Sequence, residues 1–285
     1  MTEETLEKLF PFKRHYMELE KCRIHYVDEG AGNPIVLFHS CPMWSFAYRA
    51  LIREFSATHR VIAFDLPGFG LSDKPASFDY TLNGYINLTE SFLSALNLTD
   101  MTFVLHGWGG TAAMGYAVRH PKRIASLVIL NSMAFSDYSI PFRFRICRLP
   151  WLGAKLVVDM RIFLVGNLMK YKKEVVEAYE YPLQDRNARL AVYRFMKDIP
   201  IVPEADSALV MLEIETGLWM FRSKPVTLIW GMRDWLYTAR SLDAWRRYLP
   251  NAEVNLLAKA GRYLQEDASD ELIKIMRDFL NRNNL

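Results

Sequence analysis

Residues 102–110 read Thr-Phe-Val-Leu-His-Gly-Trp-Gly-Gly, and this stretch decides the fold class. The apolar run at 102–105 is typical of a buried strand, and the small residues after His106 allow a sharp turn. A helix is predicted to begin near Gly110 and to end before Pro121. A strand that leads directly into a helix is one unit of a sheet covered by helices.

The same alternation of short apolar runs and helical patterns continues on both sides of this stretch and predicts an α/β fold. Strands are predicted at 15–20, 23–27, 35–39, 60–65, 102–106, 126–131, 225–230 and 253–257, the first two forming an antiparallel hairpin. Further helices are predicted at 82–96, 241–248 and 267–281. The alternation stops between 135 and 221, which predicts a helical insertion. We therefore expect a mostly parallel, eight-stranded sheet, with a core at 1–134 and 222–285 and a helical cap at 135–221, inserted after the sixth strand.

Charge is distributed unevenly along the chain. The net charge of +3 over 285 residues is too small to predict nucleic-acid binding. Residues 141–173, however, carry eight basic side chains and one acidic one. This stretch is either a solvated face whose long side chains cover apolar surface, or a face that attracts an acidic membrane surface or a partner enzyme.

Cysteine and histidine positions limit the possible chemistry. Three cysteines, without CxxC spacing, predict neither a disulfide framework nor a zinc site, and we expect no metal and no cofactor. All six histidines lie at or before His120, so a mechanism that needs a histidine late in the chain is excluded. The N-terminus lacks a signal peptide's apolar core, and no run reaches the ~18 apolar residues of a membrane span. These features favour a cytoplasmic protein, soluble or at most peripheral.

Several stretches, in order along nearly the whole chain, resemble the α/β-hydrolase family. Within it they resemble the haloalkane dehalogenases and, most of all, the β-lactone decarboxylases of long-chain olefin biosynthesis. Residues 102–110 have the context of that family's nucleophile elbow. The other stretches are His25-Tyr-Val-Asp-Glu-Gly30, His39-Ser-Cys-Pro-Met-Trp-Ser-Phe46, Val61-Ile-Ala-Phe-Asp-Leu-Pro-Gly-Phe-Gly-Leu-Ser-Asp-Lys-Pro75, Leu130-Asn-Ser-Met-Ala-Phe135, Leu228-Ile-Trp-Gly-Met-Arg-Asp234 and Ala260-Gly-Arg-Tyr-Leu-Gln-Glu-Asp267.

The resemblance implies an ester mechanism and also shows where this chain departs from it. In the family, an elbow Asp attacks carbon to form an ester, and a late His activates the water that hydrolyses it. The nucleophile position is Gly107, which has no side chain. The base position is Arg262, which a protein cannot deprotonate. The resemblance therefore implies that the ester mechanism is absent.

The remaining positions of the family site match only in part. Asp234 stands at the acid position that would orient the base, and Trp108 stands where the family has an anion donor next to the elbow. Cys41 replaces the Asn of the family's His-Gly-Asn-Pro turn, and Ser40 replaces the Gly before it. Four residues at the two turns are predicted to line a hydrophobic pocket, with Met43 beside them: Trp108, Cys41, Trp44 and Phe46.

Two functions remain open from this comparison. One is a pseudoenzyme that keeps a hydrophobic pocket and acts by binding a small molecule, a long-chain, lipid-like one among the options, or by association. The other is an active hydrolase or lyase on a haloalkane, ester or β-lactone, with chemistry supplied by Cys41, Asp234 or Glu266. Cys41 is either a thiolate activated by His39 and His106 or an inert buried thiol.

Three site positions each have two interpretations. Gly107 either relaxes a strained elbow or allows a ligand to approach the backbone closely. Arg262 forms either a partly buried ion pair with Asp234 or an anion site, for example for a fatty-acid carboxylate. Glu266 and Asp267 either deprotonate a water or begin the last helix, where acids suit the helix dipole. His106 is expected to be structural.

Overall fold

The centre of the protein is one eight-stranded sheet with the strand order β1-β2-β4-β3-β5-β6-β7-β8. The computed structural model describes residues 1–19, 22–136, 141–149, 151–161, 168–200 and 206–285. The strands are β1 His15–Leu19, β2 Cys22–Glu29, β3 Pro34–Phe38, β4 Arg60–Phe64, β5 Met101–His106, β6 Ile124–Ser132, β7 Val226–Gly231 and β8 Glu253–Leu257. All eight predicted strands are confirmed, although residue 20 of the first prediction lies outside the described residues.

Strand direction and burial follow from the position of each strand in the sheet. β1 and β2 form the predicted antiparallel hairpin, β2 is also antiparallel to β4, and every later pairing is parallel. Every residue of the inner strands β5 and β7 is buried, because helices cover both faces there. The edge strand β1 instead alternates between more and less exposed residues.

Twelve α-helical segments are described, and two of the predicted helices differ from those observed. They are α1 Glu3–Leu9, α2 Arg49–Phe55, α3 Leu82–Ala95, α4 Gly107–Arg119, α5 Phe142–Ile146, α6 Leu152–Ala154, α7 Lys173–Glu180, α8 Arg186–Asp198, α9 Asp206–Gly217, α10 Ala239–Tyr248, α11 Leu264–Asp267 and α12 Ser269–Arg282. Helix α4 begins at Gly107 instead of near Gly110. The helix predicted at 267–281 is two helices, because the backbone leaves helical geometry at Ala268.

Between β6 and β7, the described residues contain helices and turns but no strand, as predicted. The aromatic side chain of Phe195 on α8 packs on the rings of Phe69 and Tyr85, with ring centres 5.0 and 5.1 Å apart. The cap therefore packs directly on the sheet domain, while its predicted bounds at 135 and 221 stay a prediction. None of the described helices combines the length and apolar character needed to cross a bilayer.

Candidate functional site

The strand-to-helix turn at Gly107 has the predicted geometry. Strand β5 ends at His106 in an extended conformation, and Gly107 begins α4 with φ +56°. That value lies in the left-handed region, which glycine adopts without the penalty that a side chain brings. The Ser132 hydroxyl donates to the Gly107 carbonyl at 2.7 Å. A sharp turn thus lies at the carboxyl end of β5, where the family places its nucleophile.

The side chain of Ser40 occupies the space that a side chain at position 107 would need. A Cβ at Gly107 would lie 2.0 Å from the Ser40 Oγ, 2.7 Å from its Cβ and 3.4 Å from its Cα. Rotating the hydroxyl away leaves the contact with the Ser40 Cβ, which is still too short. Only a glycine at position 40 would leave ordinary van der Waals contact. Sequence reasoning noted both departures from the family motif but missed that they touch.

Arg262 lies next to this pair and is buried, with 6% of its surface exposed. Its Nη2 donates to the Ser40 Oγ at 3.1 Å and to the Cys41 carbonyl at 2.6 Å. Burial alone would lower the pKa of Arg262, but the neighbouring acidic groups of Tyr237 and Asp234 raise it. The base position of the family therefore holds a buried guanidinium that stays charged.

The direct ion pair predicted between Asp234 and Arg262 is not formed. The Asp234 Oδ1 accepts from the backbone N–H groups of Leu236 and Tyr237 at 2.8 and 3.3 Å. Among the described residues, the Asp234 Oδ2 and the Arg262 Nε and Nη1 have no hydrogen-bond partner. The guanidinium is instead held by Ser40 and Cys41. Burial raises the pKa of Asp234, and the charge of Arg262 opposes that rise.

Cys41 does not have the surroundings of an activated thiol. Burial raises the pKa of Cys41 to about 12, although Arg262 lowers it in part. The His39 Nε2 accepts from the Leu66 N–H at 3.0 Å, and its Nδ1 lies 3.1 Å from the Ser40 carbonyl. Both nitrogens of His39 are therefore engaged by backbone, and neither is available to take a proton from the thiol.

Alkylation tests this assignment of Cys41 as an inert thiol. At pH 8, a thiol with a pKa of about 12 is thiolate for about one part in ten thousand, over a thousandfold less than an ordinary cysteine. We expect iodoacetamide to leave Cys41 unmodified in the folded protein and to label it after unfolding in urea, as read by peptide mass spectrometry. Labelling of folded Cys41 as fast as free glutathione would contradict the assignment.

His106 is buried next to Gln265 and Arg262, and its structural role stays a prediction. Its Nδ1 lies 3.0 Å from the Gln265 Nε2. Burial first, and then the charge of Arg262, hold the pKa of His106 well below its usual range. A neutral imidazole results, and its proton acceptor faces the Gln265 amide.

Of the two interpretations of Glu266, the structure supports its place at a helix start, since it lies in the first turn of α11, directly before the last helix, α12. It lies in the short helix α11, where its two carboxylate oxygens accept from the Arg49 Nη1 and Nη2 at 2.5 and 2.6 Å. The hydroxyl of Tyr179, on cap helix α7, donates to the same carboxylate at 2.7 Å. Glu266 therefore fastens the cap to the core.

Asp267, at the end of α11, has a similar structural role. Its Oδ1 accepts from the Lys170 Nζ at 2.5 Å and from the Tyr171 hydroxyl at 2.7 Å, and its Oδ2 accepts from the Gly261 N–H at 2.8 Å. Three donors leave this carboxylate poorly placed to take a proton from water. Asp267 lies in the first turn of α11, and the last helix, α12, begins two residues beyond the predicted start, at Ser269.

The predicted pocket walls pack into the core. Trp108, Trp44, Phe46 and Met43 are each at most 2% exposed. The Trp44 Nε1 donates to the Ala178 carbonyl at 3.1 Å, and the ring of Trp44 lies 5.5 Å from that of Phe46. These contacts join the turn after β3 to the cap, which fits a wall as well as plain core.

A cavity of about 480 Å³ lies between the cap and the turns after β7 and β8. Its lining includes Arg262 but none of the predicted wall residues. The lining residues are Met169, Lys170, Arg233, Trp235, Gly261, Arg262 and Tyr263. Nowhere in the described ranges do three or more His, Cys, Asp or Glu side chains group as a metal ion would require.

The basic stretch 141–173 carries several exposed apolar side chains. Phe142, Trp151 and Met169 are 75, 90 and 79% exposed. Other side chains of the stretch bind the protein itself: the Arg148 guanidinium donates to the Lys197 carbonyl, and Lys170 binds Asp267. Attraction to an acidic membrane surface or to a partner enzyme stays a prediction.

Fold and site together define an α/β hydrolase: the family model for the alpha/beta hydrolase fold matches residues 33–269, and the chain belongs to that family. More narrowly, it falls in the group of the oxetanone decarboxylases and haloalkane dehalogenases. It is 38% identical to the cis-3-alkyl-4-alkyloxetan-2-one decarboxylase of Shewanella oneidensis, over 96% of this chain and 90% of the relative. It is 30% identical to a haloalkane dehalogenase of Psychrobacter cryohalolentis, over 96% of this chain and 94% of the relative.

Solved structures agree on the fold. The haloalkane dehalogenase DatA of Agrobacterium tumefaciens matches with a TM-score of 0.86 at 23% sequence identity, covering 95% of this chain and 97% of that chain. The suspected group and the α/β-hydrolase fold are thus both confirmed.

Proposed function

We propose that this protein is a degenerate member of its group, which binds a hydrophobic small molecule and lacks the ester mechanism. The observation that carries the proposal is the overlap between the Ser40 side chain and the space next to Gly107. This site has no nucleophilic side chain at the elbow, and one there would require Ser40 to shift. The ester mechanism also needs a general base, and the charged Arg262 at that position cannot act as one. Losing one member of a catalytic unit usually costs nearly as much activity as losing all of them.

The alternative, an active enzyme with a changed constellation, finds less support in the contacts. Cys41 has a raised pKa, and Glu266 accepts hydrogen bonds from Arg49 and Tyr179. Asp234 is buried, with one oxygen engaged by two backbone N–H groups. To act as a nucleophile or base, each of these groups would have to overcome its burial or give up the hydrogen bonds that it makes within the protein.

A site without catalytic residues can still bind a small molecule. The cavity of about 480 Å³ falls within the range of ~300–1,000 Å³ that is usual for small-molecule sites. The names of the relatives specify alkyl-substituted oxetanones and haloalkanes as their substrates. A ligand with an alkyl chain is therefore the class that this site is proposed to hold.

The test is an activity assay with a haloalkane, a p-nitrophenyl ester and a cis-3,4-dialkyl β-lactone. We expect no turnover above that of a heat-inactivated sample, while the Shewanella oneidensis relative, run in parallel, shows that each assay works. Turnover that disappears in Cys41→Ala or Asp234→Asn would overturn the proposal and establish the active alternative.

A further inference from the structure

Positive charge is concentrated around the cavity between the cap and the core. Three of its seven lining residues, Lys170, Arg233 and Arg262, are basic, and none of the seven is acidic. Asp267 neutralises Lys170 in part, through an ion pair of 2.5 Å. Arg233 is exposed, and no pairing is found for it among the described residues. The cavity therefore has a net positive lining.

Arg262 is the buried member of this set and carries unused hydrogen-bond donors. More than nine-tenths of its surface is buried, yet its Nε and Nη1 have no partner among the described residues. A buried donor without a partner is strongly unfavourable, the more so on a charged group. Asp234 opposes the charge of Arg262 from nearby, and the Tyr237 ring centre lies 5.5 Å from the guanidinium carbon, but neither accepts a hydrogen bond from the Nε or Nη1. A ligand that accepts hydrogen bonds would satisfy these two donors, and a negative charge on it would strengthen the bonds.

The other side chains of the cavity are apolar or aromatic. Met169 and Trp235 line it from the cap and from the turn after β7, and the Tyr263 ring packs between those of Tyr171 and Tyr179, at 6.0 and 5.3 Å. Basic groups beside apolar surface suit a molecule with a charged head and a hydrocarbon chain. Among anionic heads, a carboxylate matches the planar guanidinium by accepting two N–H bonds at once.

We propose that this cavity is an anion site that takes an alkyl carboxylate, with Arg233 and Lys170 at the exposed rim and Arg262 at the buried end. The inference rests on the proposed function, since it names the ligand class of a binding protein. It adds a charge requirement that the substrates named for the relatives, oxetanones and haloalkanes, do not have.

Binding of octanoate and of 1-octanol, measured by calorimetry at fixed ionic strength, separates the two proposals. We expect the native protein to bind octanoate at least about tenfold more tightly than octanol, because a charge-assisted pair contributes roughly that factor. Arg233→Gln should weaken octanoate binding by about fivefold or more and leave octanol binding unchanged. The matched control is Arg53→Gln, an exposed arginine outside the cavity lining, which should change neither.

The buried arginine is tested by a second variant, Arg262→Lys, which keeps the charge but loses the planar fork. After a melting curve has shown that it folds, we expect its affinity for octanoate to fall by a larger factor than its affinity for octanol. Equal affinity for octanoate and octanol, unchanged in Arg233→Gln, would overturn the anion site but leave the proposed function standing. Failure of both ligands to bind would overturn both.

Discussion

The triple variant Ser40→Gly/Gly107→Asp/Arg262→His is expected to open a cis-3,4-dialkyl β-lactone or to release halide from a haloalkane. The double variant Gly107→Asp/Arg262→His is expected to stay inactive, because its new Asp side chain would overlap Ser40 at 2.0 to 2.7 Å. Removing the Ser40 side chain leaves only its Cα, at 3.4 Å, near the restored Cβ. The histidine introduced in place of Arg262 would then lie on the side of the site where Asp234 stands.

Rates and stabilities distinguish the variants of this series. We expect the triple variant to exceed the double variant by about a hundredfold or more, as for an enzyme regaining a complete catalytic unit. Gly107→Asp alone should destabilise the fold by about 3 kcal/mol, from positive-φ strain and overpacking together. Equal activity of the double and triple variants would show that Ser40 does not block the elbow. A folded but inactive triple variant would show that the rest of the site is no longer arranged for catalysis.

The second large effect is expected at the link between cap and core. Arg49→Met should lower the free energy of unfolding by about 2–4 kcal/mol, because it leaves the Glu266 carboxylate, 8% exposed, without its cation. For a chain of this size, such a loss corresponds to a fall in Tm of roughly 3–7 °C. Adding Glu266→Gln to Arg49→Met should recover part of the loss, since the buried charge is then removed.

The chain supplies a matched control for this experiment. Arg277 and Glu54 also form an arginine–glutamate ion pair, but their side chains are 49 and 37% exposed. An exposed pair contributes little, so Arg277→Met should cost less than about 1 kcal/mol. Urea unfolding of the two variants gives the comparison directly. If Arg49→Met lost no more stability than Arg277→Met, the link between cap and core would be an ordinary surface contact.

The sheet could be predicted because its strands carry their signal locally. Inner strands such as β5 are short apolar runs with turn residues at both ends, and helices cover both of their faces. The short helices α1 and α2 were not predicted, because seven residues give too little periodicity to recognise. Helix ends were also predicted less accurately, as the start of α4 at Gly107 instead of Gly110 shows.

The site could be predicted only as a set of positions along the chain. The resemblance located Gly107, Arg262 and Asp234, because each stands within a recognisable stretch. The resemblance could not predict contacts between these stretches. The direction of the Arg262 side chain and the pairing of Glu266 with Arg49 depend on packing across the fold. The contact between Ser40 and position 107 follows more directly from the sheet, since β3 pairs with β5 in a register that places Phe38 opposite Leu105. Extending that register by two residues places Ser40 opposite Gly107.

The overlap of Ser40 with position 107 also favours an order of events. With Ser40 in place, a side chain at position 107 requires Ser40 or the turn to shift. In a lineage that begins with an aspartate at 107 and a glycine at 40, the change at 107 would come first at lower cost, because the serine then enters an open space. With both changes present, a return to aspartate would require Ser40 to move. In such a lineage the serine would make the change at 107 harder to reverse.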